Sequence, residues 1–182
     1  MPVPAGLNRP DMSGAQAQLK DALRASDDDN VQVNAMFLLG WALEFAGETR
    51  RSLAWQEKAL ALATSRGETV YRSYALWELG IRWFQHGRSD RAEQLLQEGL
   101  RVAQLINDQR NAAGCLEGSA WIAAQKNNPR GAAVLTGAAD ALARAVGSVA
   151  MPLPQLRDFH DECERRTRKA LGYEEFNAAR QQ

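Results

Sequence analysis

The fold of this chain is decided by ALWELG at residues 75–80, which has counterparts 40 residues before and 40 residues after it. The counterparts are AMFLLG at residues 35–40 and CLEGSA at residues 115–120, and all three align without a gap. The same register carries small residues further along: Gly47, Gly87 and Asn127; Ser52, Ala92 and Ala132; Ala59, Gly99 and Ala139; Ala63, Ala103 and Ala143. Small residues at fixed offsets let two helices approach closely. A repeat of this length predicts stacked helical hairpins, which form a solenoid.

The composition limits the classes of function that this chain can have. Its 182 residues are enough for one domain with a sizeable core. Lys and Arg together number 22, and so do Asp and Glu, which argues against a general nucleic-acid or anionic-membrane binder. No apolar run approaches the ~20 residues of a membrane span, and no signal peptide opens the chain. With two cysteines, Cys115 and Cys163, that we expect to be free buried thiols, the sequence predicts a cytoplasmic protein.

Helical periodicity with regular turn signals, and the lack of alternating β-branched runs, predicts an all-α fold. We expect a disordered or linker segment at residues 1–10, a helical-repeat solenoid at 11–146 and C-terminal capping helices at 147–182. The solenoid divides into a half repeat at 11–29 and hairpins at 30–67, 68–107 and 108–146. The last helices would cap the open end, because a terminal repeat must present a polar outer face.

The middle hairpin has eight residues of a known pattern: Leu76, Leu79, Gly80, Trp83, Gly87, Ala92, Leu96 and Gly99. This pattern resembles the tetratricopeptide repeat. The first hairpin keeps five of its positions, and the third keeps three but replaces two glycines with Ala120 and Asn127. The resemblance implies a right-handed solenoid of antiparallel hairpins. The period of 40 exceeds the usual ~34 residues, so we expect longer helices than the consensus.

Three short stretches resemble parts of large LuxR-type transcriptional regulators of high-GC bacteria. They are CLEGSAWIAA at residues 115–124, AAVLTGAA at 132–139 and LGYEEF at 171–176. Such regulators carry a nucleotide-binding module, then helical repeats, then a small DNA-reading domain. This sequence has no phosphate-loop motif and no C-terminal helix-turn-helix. The resemblance therefore implies the repeat module alone, with no direct nucleic-acid contact by this chain.

In tetratricopeptide-like hairpins the first helix of each pair lines a concave groove, and the resemblance places a set of side chains there. The set is Asn34, Phe37, Trp41, Glu44, Tyr74, Trp77, Ile81, Phe84, Gln85, Gly114, Glu117, Trp121, Ala124 and Gln125. Exposed aromatics would give contact area to a peptide, a protein or a small-molecule effector. Glu44 and Glu117 would orient a cationic group, with cation–π attraction from the rings. The alternative is that the rings pack between repeats or against the C-terminal helices.

Two clusters near the C-terminus contain residue types that can bind a metal ion or a phosphate group. His160 and Cys163 lie one helical turn apart, as two metal ligands would, but no further ligand pair lies nearby in the sequence. The basic run at residues 165–169 ends a helix, where cations favour the helix dipole, so we interpret it as a solvated surface. No nucleophile and base converge. We therefore expect no catalytic residues, no metal and no cofactor.

The sequence favours a non-enzymatic, ligand- or protein-binding repeat module of a bacterial transcriptional regulator. Binding in the groove would shift the population of solenoid shapes. The alternative is a stand-alone interaction scaffold that self-associates, as a homodimer, through the half repeat at residues 11–29. Leu19 and Leu23 would lie on its exposed apolar stripe. Neither interpretation involves a membrane.

Overall fold

The computed structural model describes residues 12–149 and 156–182, and every regular element in these ranges is an α-helix, with no strand. The prediction of an all-α fold is confirmed. The helices are α1 Ser13–Ala25, α2 Asp29–Phe45, α3 Thr49–Ser65, α4 Val70–Gln85, α5 Ser89–Leu105, α6 Gln109–Gln125, α7 Pro129–Ala145, α8 Arg157–Leu171 and α9 Tyr173–Arg180. The predicted linker at residues 1–10 lies outside the described residues. None of these helices combines the length and apolar character needed to cross a lipid bilayer.

The helices from α2 to α7 end in the same way, at intervals of 20 residues. The second residue beyond each helix has φ between 55° and 78°: Gly47, Gly67, Gly87, Asn107, Asn127 and Gly147. The Gly47 N–H donates to the Glu44 carbonyl, and the next N–H, of Glu48, donates to the Leu43 carbonyl. The other five ends repeat this pair of bonds, which is the Schellman motif and satisfies carbonyls that a helix end leaves free.

Several helix starts are fixed by side chains that accept backbone hydrogen bonds. The Asp28 carboxylate accepts from the backbone at the start of α2, and Asp108 accepts from the Asn111 N–H at 2.9 Å at the start of α6. Asn128 accepts from the Gly131 N–H at 3.0 Å, with a proline at the first helical position of α7. Such caps supply partners for N–H groups that have none within the helix.

The helices are arranged in two layers. Each helix from α1 to α7 packs on the next, and α2, α4, α6 and α8 also pack in series, each on the following even-numbered one. Within the described residues no such contact joins α3 to α5 or α5 to α7. The helices α2, α4 and α6 therefore form an inner layer, α1, α3, α5 and α7 form an outer one, and α8 packs on both α6 and α7. The last helix, α9, packs on α7 and α8.

Glycines mark the places where the two layers approach most closely. A methyl group on Gly40 would lie 2.6 Å from Gln56, and one on Gly80 would lie 2.7 Å from Leu96. These two contacts are equivalent, since Gly80 follows Gly40 by 40 residues and Leu96 follows Gln56 by 40 residues. The close approach that the recurring small residues predict is present at both sites.

The contact between α7 and α9 gives a direct test of the packing. Gly137 lies directly under the backbone carbonyl of Arg180, so a side chain at this position has no room. We expect Gly137→Ala to displace α9 and to lower the free energy of unfolding by about 1–3 kcal/mol, measured by urea denaturation. Gly14→Ala is the control, because nothing lies near that position on α1 and alanine favours helix. Equal effects of the two substitutions would contradict this packing.

Candidate functional site

The predicted groove residues lie on the inner layer and differ in exposure. Half-buried members belong mainly to α2 and α4: Phe37, Trp41, Glu44, Tyr74, Trp77, Phe84, Gln85 and, on α6, Ala124. Asn34 and Gln125 are exposed. Ile81, Gly114, Glu117 and Trp121 are buried. The surface of α2 and α4 is thus accessible to a partner, whereas that of α6 is largely covered.

The cover on α6 is α8, which reaches the inner layer through Phe159. This ring stacks on Trp121, with centroids 5.6 Å apart, and meets Phe84 edge-on at 5.8 Å. Leu156 and Cys163 are buried on either side of it, within the same core cluster. Phe84 and Trp121 therefore pack against a C-terminal helix, which is one of the two roles that the sequence leaves open for such rings.

Glu117 is the polar centre of this contact. Its side chain is fully buried, and its Oε1 accepts from Trp121 Nε1 at 2.8 Å and lies 2.6 Å from His160 Nδ1. The hydrogen bond with Glu117 raises the pKa of His160, although burial opposes the shift. A buried carboxylate needs such partners, because its desolvation is costly. Glu117 thus binds the His160 imidazole of α8 instead of facing the open part of the groove.

Cys163 does not join His160 in a metal-binding cluster. Burial raises the pKa of the Cys163 thiol to about 11, so the thiol stays protonated at neutral pH. Among the described residues no group of three or more His, Cys, Asp or Glu side chains is placed to hold a metal ion.

A shallow pocket lies on the open part of the inner layer, between α2 and α4. It is lined by Trp41, Trp77, Glu78, Ile81, Arg82 and Leu156. Three of these, the two tryptophans and Ile81, belong to the predicted set, and the structure brings them together. Leu156 connects the pocket to the region that α8 covers. Four of the six residues that line the pocket are apolar or aromatic, and the other two are Glu78 and Arg82.

The acid and the guanidinium belong to a buried polar network. Gln56 Nε2 donates to Glu78 Oε1 at 2.6 Å, and Arg82 lies 3.9 Å from Glu78 and 3.7 Å from Glu44. The Arg82 guanidinium also lies over the Trp41 ring, 5.1 Å from its centroid. Burial raises the pKa of Glu78 to about 8, despite the opposing effect of Arg82.

This network is incompletely paired. Glu78 Oε2, Glu44 Oε2 and Arg82 Nε are buried and have no hydrogen-bond partner. Buried polar atoms are nearly always paired in folded proteins, so exceptions beside a pocket are candidates for contact with a ligand or an ordered water. The sequence contains a signal for this site, since Glu78 occupies the repeat position of Leu38 and Gly118.

No protein-family model matches this chain, and none of the curated proteins is significantly similar to it in sequence. The tetratricopeptide-like and LuxR-type resemblances therefore stay predictions.

The contact between His160 and Glu117 predicts a pH-dependent stability. A raised folded-state pKa means that the pair stabilises the fold below about 6.5 and that this stabilisation is lost as pH rises through the raised pKa. Glu164 and Asp140 also face the imidazole and act in the same direction. We expect His160→Gln to lower the melting temperature more at pH about 6 than at pH about 9. His86→Gln, in an exposed turn, should leave the melting temperature unchanged at both pH values. If His160→Gln lowers the melting temperature equally at both pH values, the contact between His160 and Glu117 does not stabilise the fold as inferred.

The raised pKa of Glu78 predicts a second dependence of stability on pH, separate from that of His160. Its folded-state pKa of about 8 exceeds the ordinary value of 4.5, so the folded protein loses stability as pH rises between these values. Glu78→Gln removes this loss and keeps an acceptor for Gln56. We expect the variant to gain stability relative to wild type as pH increases, measured by chemical denaturation. Glu57→Gln, on the exposed side of α3, is the matched control, and a parallel pH profile for Glu78→Gln and wild type would refute the burial of this charge.

Proposed function

We propose that this chain is a non-enzymatic binding module, a right-handed tetratricopeptide-like solenoid with about 40 residues per repeat. In this proposal it is the repeat region of a cytoplasmic LuxR-type bacterial transcriptional regulator and takes a peptide, a protein or a small-molecule effector. The equivalent helix ends and the equivalent glycine contacts support the solenoid. The resemblance in three sequence stretches supports the regulator.

The observation that carries the proposal is the pocket between α2 and α4. Trp41 and Trp77 wall it, and Glu78 and Arg82 supply buried polar atoms without partners. Rigid rings give contact area at small entropic cost, and a few fixed polar groups give orientation. The chemistry of these side chains suits an effector with an apolar or aromatic group and a hydrogen-bonding head, and because the cavity itself holds only about 10 Å³, such an effector has to move the two rings apart to enter.

The adjoining contact with α8 supports the same conclusion. There the inner layer holds a helix by one aromatic ring, Phe159, and one polar side chain, His160, which reaches a buried glutamate. The open pocket offers the same two elements: aromatic walls and a buried glutamate, Glu78. A helical segment of a protein partner is therefore a suitable occupant, as well as a small amphipathic molecule.

Binding would act through the contact between α2 and α4. Arg82 joins Glu44 of α2 to Glu78 of α4, so a ligand that takes a hydrogen bond from Arg82 changes the attraction between these helices. A ligand shifts an equilibrium between two arrangements only by its difference in affinity for them. The network would supply such a difference if a ligand that pairs its unpartnered atoms fits one arrangement of α2 and α4 better than the other.

Fluorescence titration of the protein with effector and peptide collections tests this proposal. For any ligand found, we expect Trp77→Ala to weaken binding about 10-fold or more, since an anchor in a buried pocket contributes roughly 1–3 kcal/mol. Trp55→Ala is the control: Trp55 lies on α3, where it contacts Lys58 and not the pocket. Unchanged affinity in Trp77→Ala would exclude the pocket as the binding site.

A second candidate function is a scaffold that self-associates through its N-terminal half repeat. The observation in its favour is that α1 has no buried residue, although it carries Leu19 and Leu23 and packs on α2. A helix that packs on a single neighbour leaves part of its apolar side accessible. This function uses a different surface from the pocket, so the two can be tested separately.

A further inference from the structure

The pocket between α2 and α4 contains more acid than base. Glu78 lines it and is 2% exposed, and Glu44 of α2 approaches the same guanidinium, that of Arg82. With both acids ionised, two negative charges face one positive charge. An uncompensated buried charge is costly, and a ligand of the opposite charge lowers that cost.

Arg82 leaves part of the acceptor capacity of these acids unused. Its nitrogens lie 3.7 Å from Glu44 Oε1 and 3.9 Å from Glu78 Oε1, which is longer than a hydrogen bond. The guanidinium donates to Gln85 instead, at 3.2 Å. The second oxygen of each glutamate, Oε2, is buried and accepts no hydrogen bond from the described residues. The site therefore contains buried acceptors that lack a donor.

The charge of the site favours a cation over an anion. Arg82 Nε and Trp77 Nε1 are buried donors without partners, so hydrogen bonding alone would also suit an anion. An anion at Arg82 would come close to both Glu44 and Glu78, however, and like charges repel at such distances. A cation is attracted by both acids, and the faces of tryptophan rings attract it as well.

The neighbouring contact with α8 shows how this inner layer pairs a buried acid. Glu117 of α6 is fully buried, and the imidazole of His160 lies 2.6 Å from it. The adjacent ring, Phe159, stacks on Trp121. A nitrogen base beside an aromatic group thus satisfies a buried glutamate and contacts a tryptophan together. Glu78 lines a pocket with two tryptophan walls, and among the described residues no nitrogen base from another helix reaches it.

The protonation state of Glu78 gives the site a measurable signature. Burial raises the pKa of Glu78 to about 8, although Arg82 opposes the shift, so the carboxyl is mainly neutral at lower pH. The groups that face it from its own helix and from α2 and α3 are Arg82, Glu44, Trp41 and Gln56. A bound cation favours the ionised form, so its binding releases the proton. Affinity for a cation therefore falls as pH drops below about 8.

We propose that the pocket between α2 and α4 binds an organic cation, a primary amine or a guanidinium attached to an apolar or aromatic group, whose nitrogen donates to Glu78 and Glu44. This inference rests on the proposed function, because it names the ligand class of the same pocket. The apolar group parts Trp41 and Trp77 and lies between them. A free amine and a basic side chain of a protein segment share this chemistry, and the tests distinguish them.

The first test is isothermal titration calorimetry of the full chain with three probes of similar size. Phenethylamine carries the cation, phenethyl alcohol is neutral and phenylacetate is anionic. We expect the amine to bind about 10-fold tighter than either of the others, because hydrogen bonds between charged groups exceed neutral ones.

A second pair of probes identifies the source of the cation. A capped dipeptide of phenylalanine and lysine is compared with one in which norleucine replaces lysine. If the lysine dipeptide binds tighter than both its control and phenethylamine, the ligand is a basic side chain of a protein segment. If phenethylamine binds tighter than the lysine dipeptide, the ligand is a free amine. Both results support the cation.

The matched change in the protein is Glu78→Gln, which removes the charge and keeps an acceptor for Gln56. We expect it to weaken phenethylamine about 10-fold and to leave phenethyl alcohol unchanged. Wild type should bind the amine roughly 10-fold or more weakly at pH about 6 than at pH about 8, and Glu78→Gln should lose this dependence. Glu57→Gln, on the exposed side of α3, is the control. Circular dichroism confirms that each variant is folded.

The outcomes separate this inference from the function on which it rests. If the alcohol or phenylacetate binds as tightly as the amine, the cation is excluded and the pocket stays the binding site. An amine affinity that is insensitive to Glu78→Gln and to pH also overturns the inference. If no amine probe binds, the inference is overturned, and the proposed function stands on any other ligand that depends on Trp77. Amine binding that is unchanged in both Glu78→Gln and Trp77→Ala overturns both.

Discussion

A left-handed residue every 20 positions is the constraint on which the rest of this structure depends. Each such residue ends a helix, because its N–H and the N–H of the next residue donate to carbonyls of the last turn. Helices of nearly equal length keep corresponding residues of successive hairpins in register, so Gly40 and Gly80 meet equivalent partners. The alignment of aromatic residues on the inner layer follows from this spacing.

Two buried glutamates, Glu78 and Glu117, distinguish the inner helices of the second and third hairpins from each other. Glu117 accepts from Trp121 and holds α8 through His160, whereas Glu78 accepts from Gln56 and lies beside Arg82. Each costs desolvation energy that only nearby donors offset. The repeats are therefore alike in backbone and different in polar content. Glu117 on α6 binds His160 of α8, whereas Glu78 on α4 lines the pocket between α2 and α4.

The sequence predicts features that depend on local chemistry. Helix ends follow from Gly or Asn at fixed spacing, and the placement of Trp41, Trp77 and Ile81 on one surface follows from the repeat register. The sequence does not reveal contacts between distant segments. Leu156 reaches the pocket and His160 reaches Glu117 only because α8 folds back over α6, and no local signal near residue 156 specifies that return. The predicted set does not include Glu78, although its difference from Leu38 and Gly118 at the same repeat position is a signal in the sequence.

The separation of the outer helices has a mechanical consequence. Since the backbones of α3, α5 and α7 approach the inner layer but not each other, a small rotation of one hairpin changes the spacing of the outer helices without breaking backbone packing between them. The resistance to bending is concentrated along the inner row, at the junctions of α2 with α4 and of α4 with α6. The backbone packing is consequently tighter along the inner row than between the outer helices.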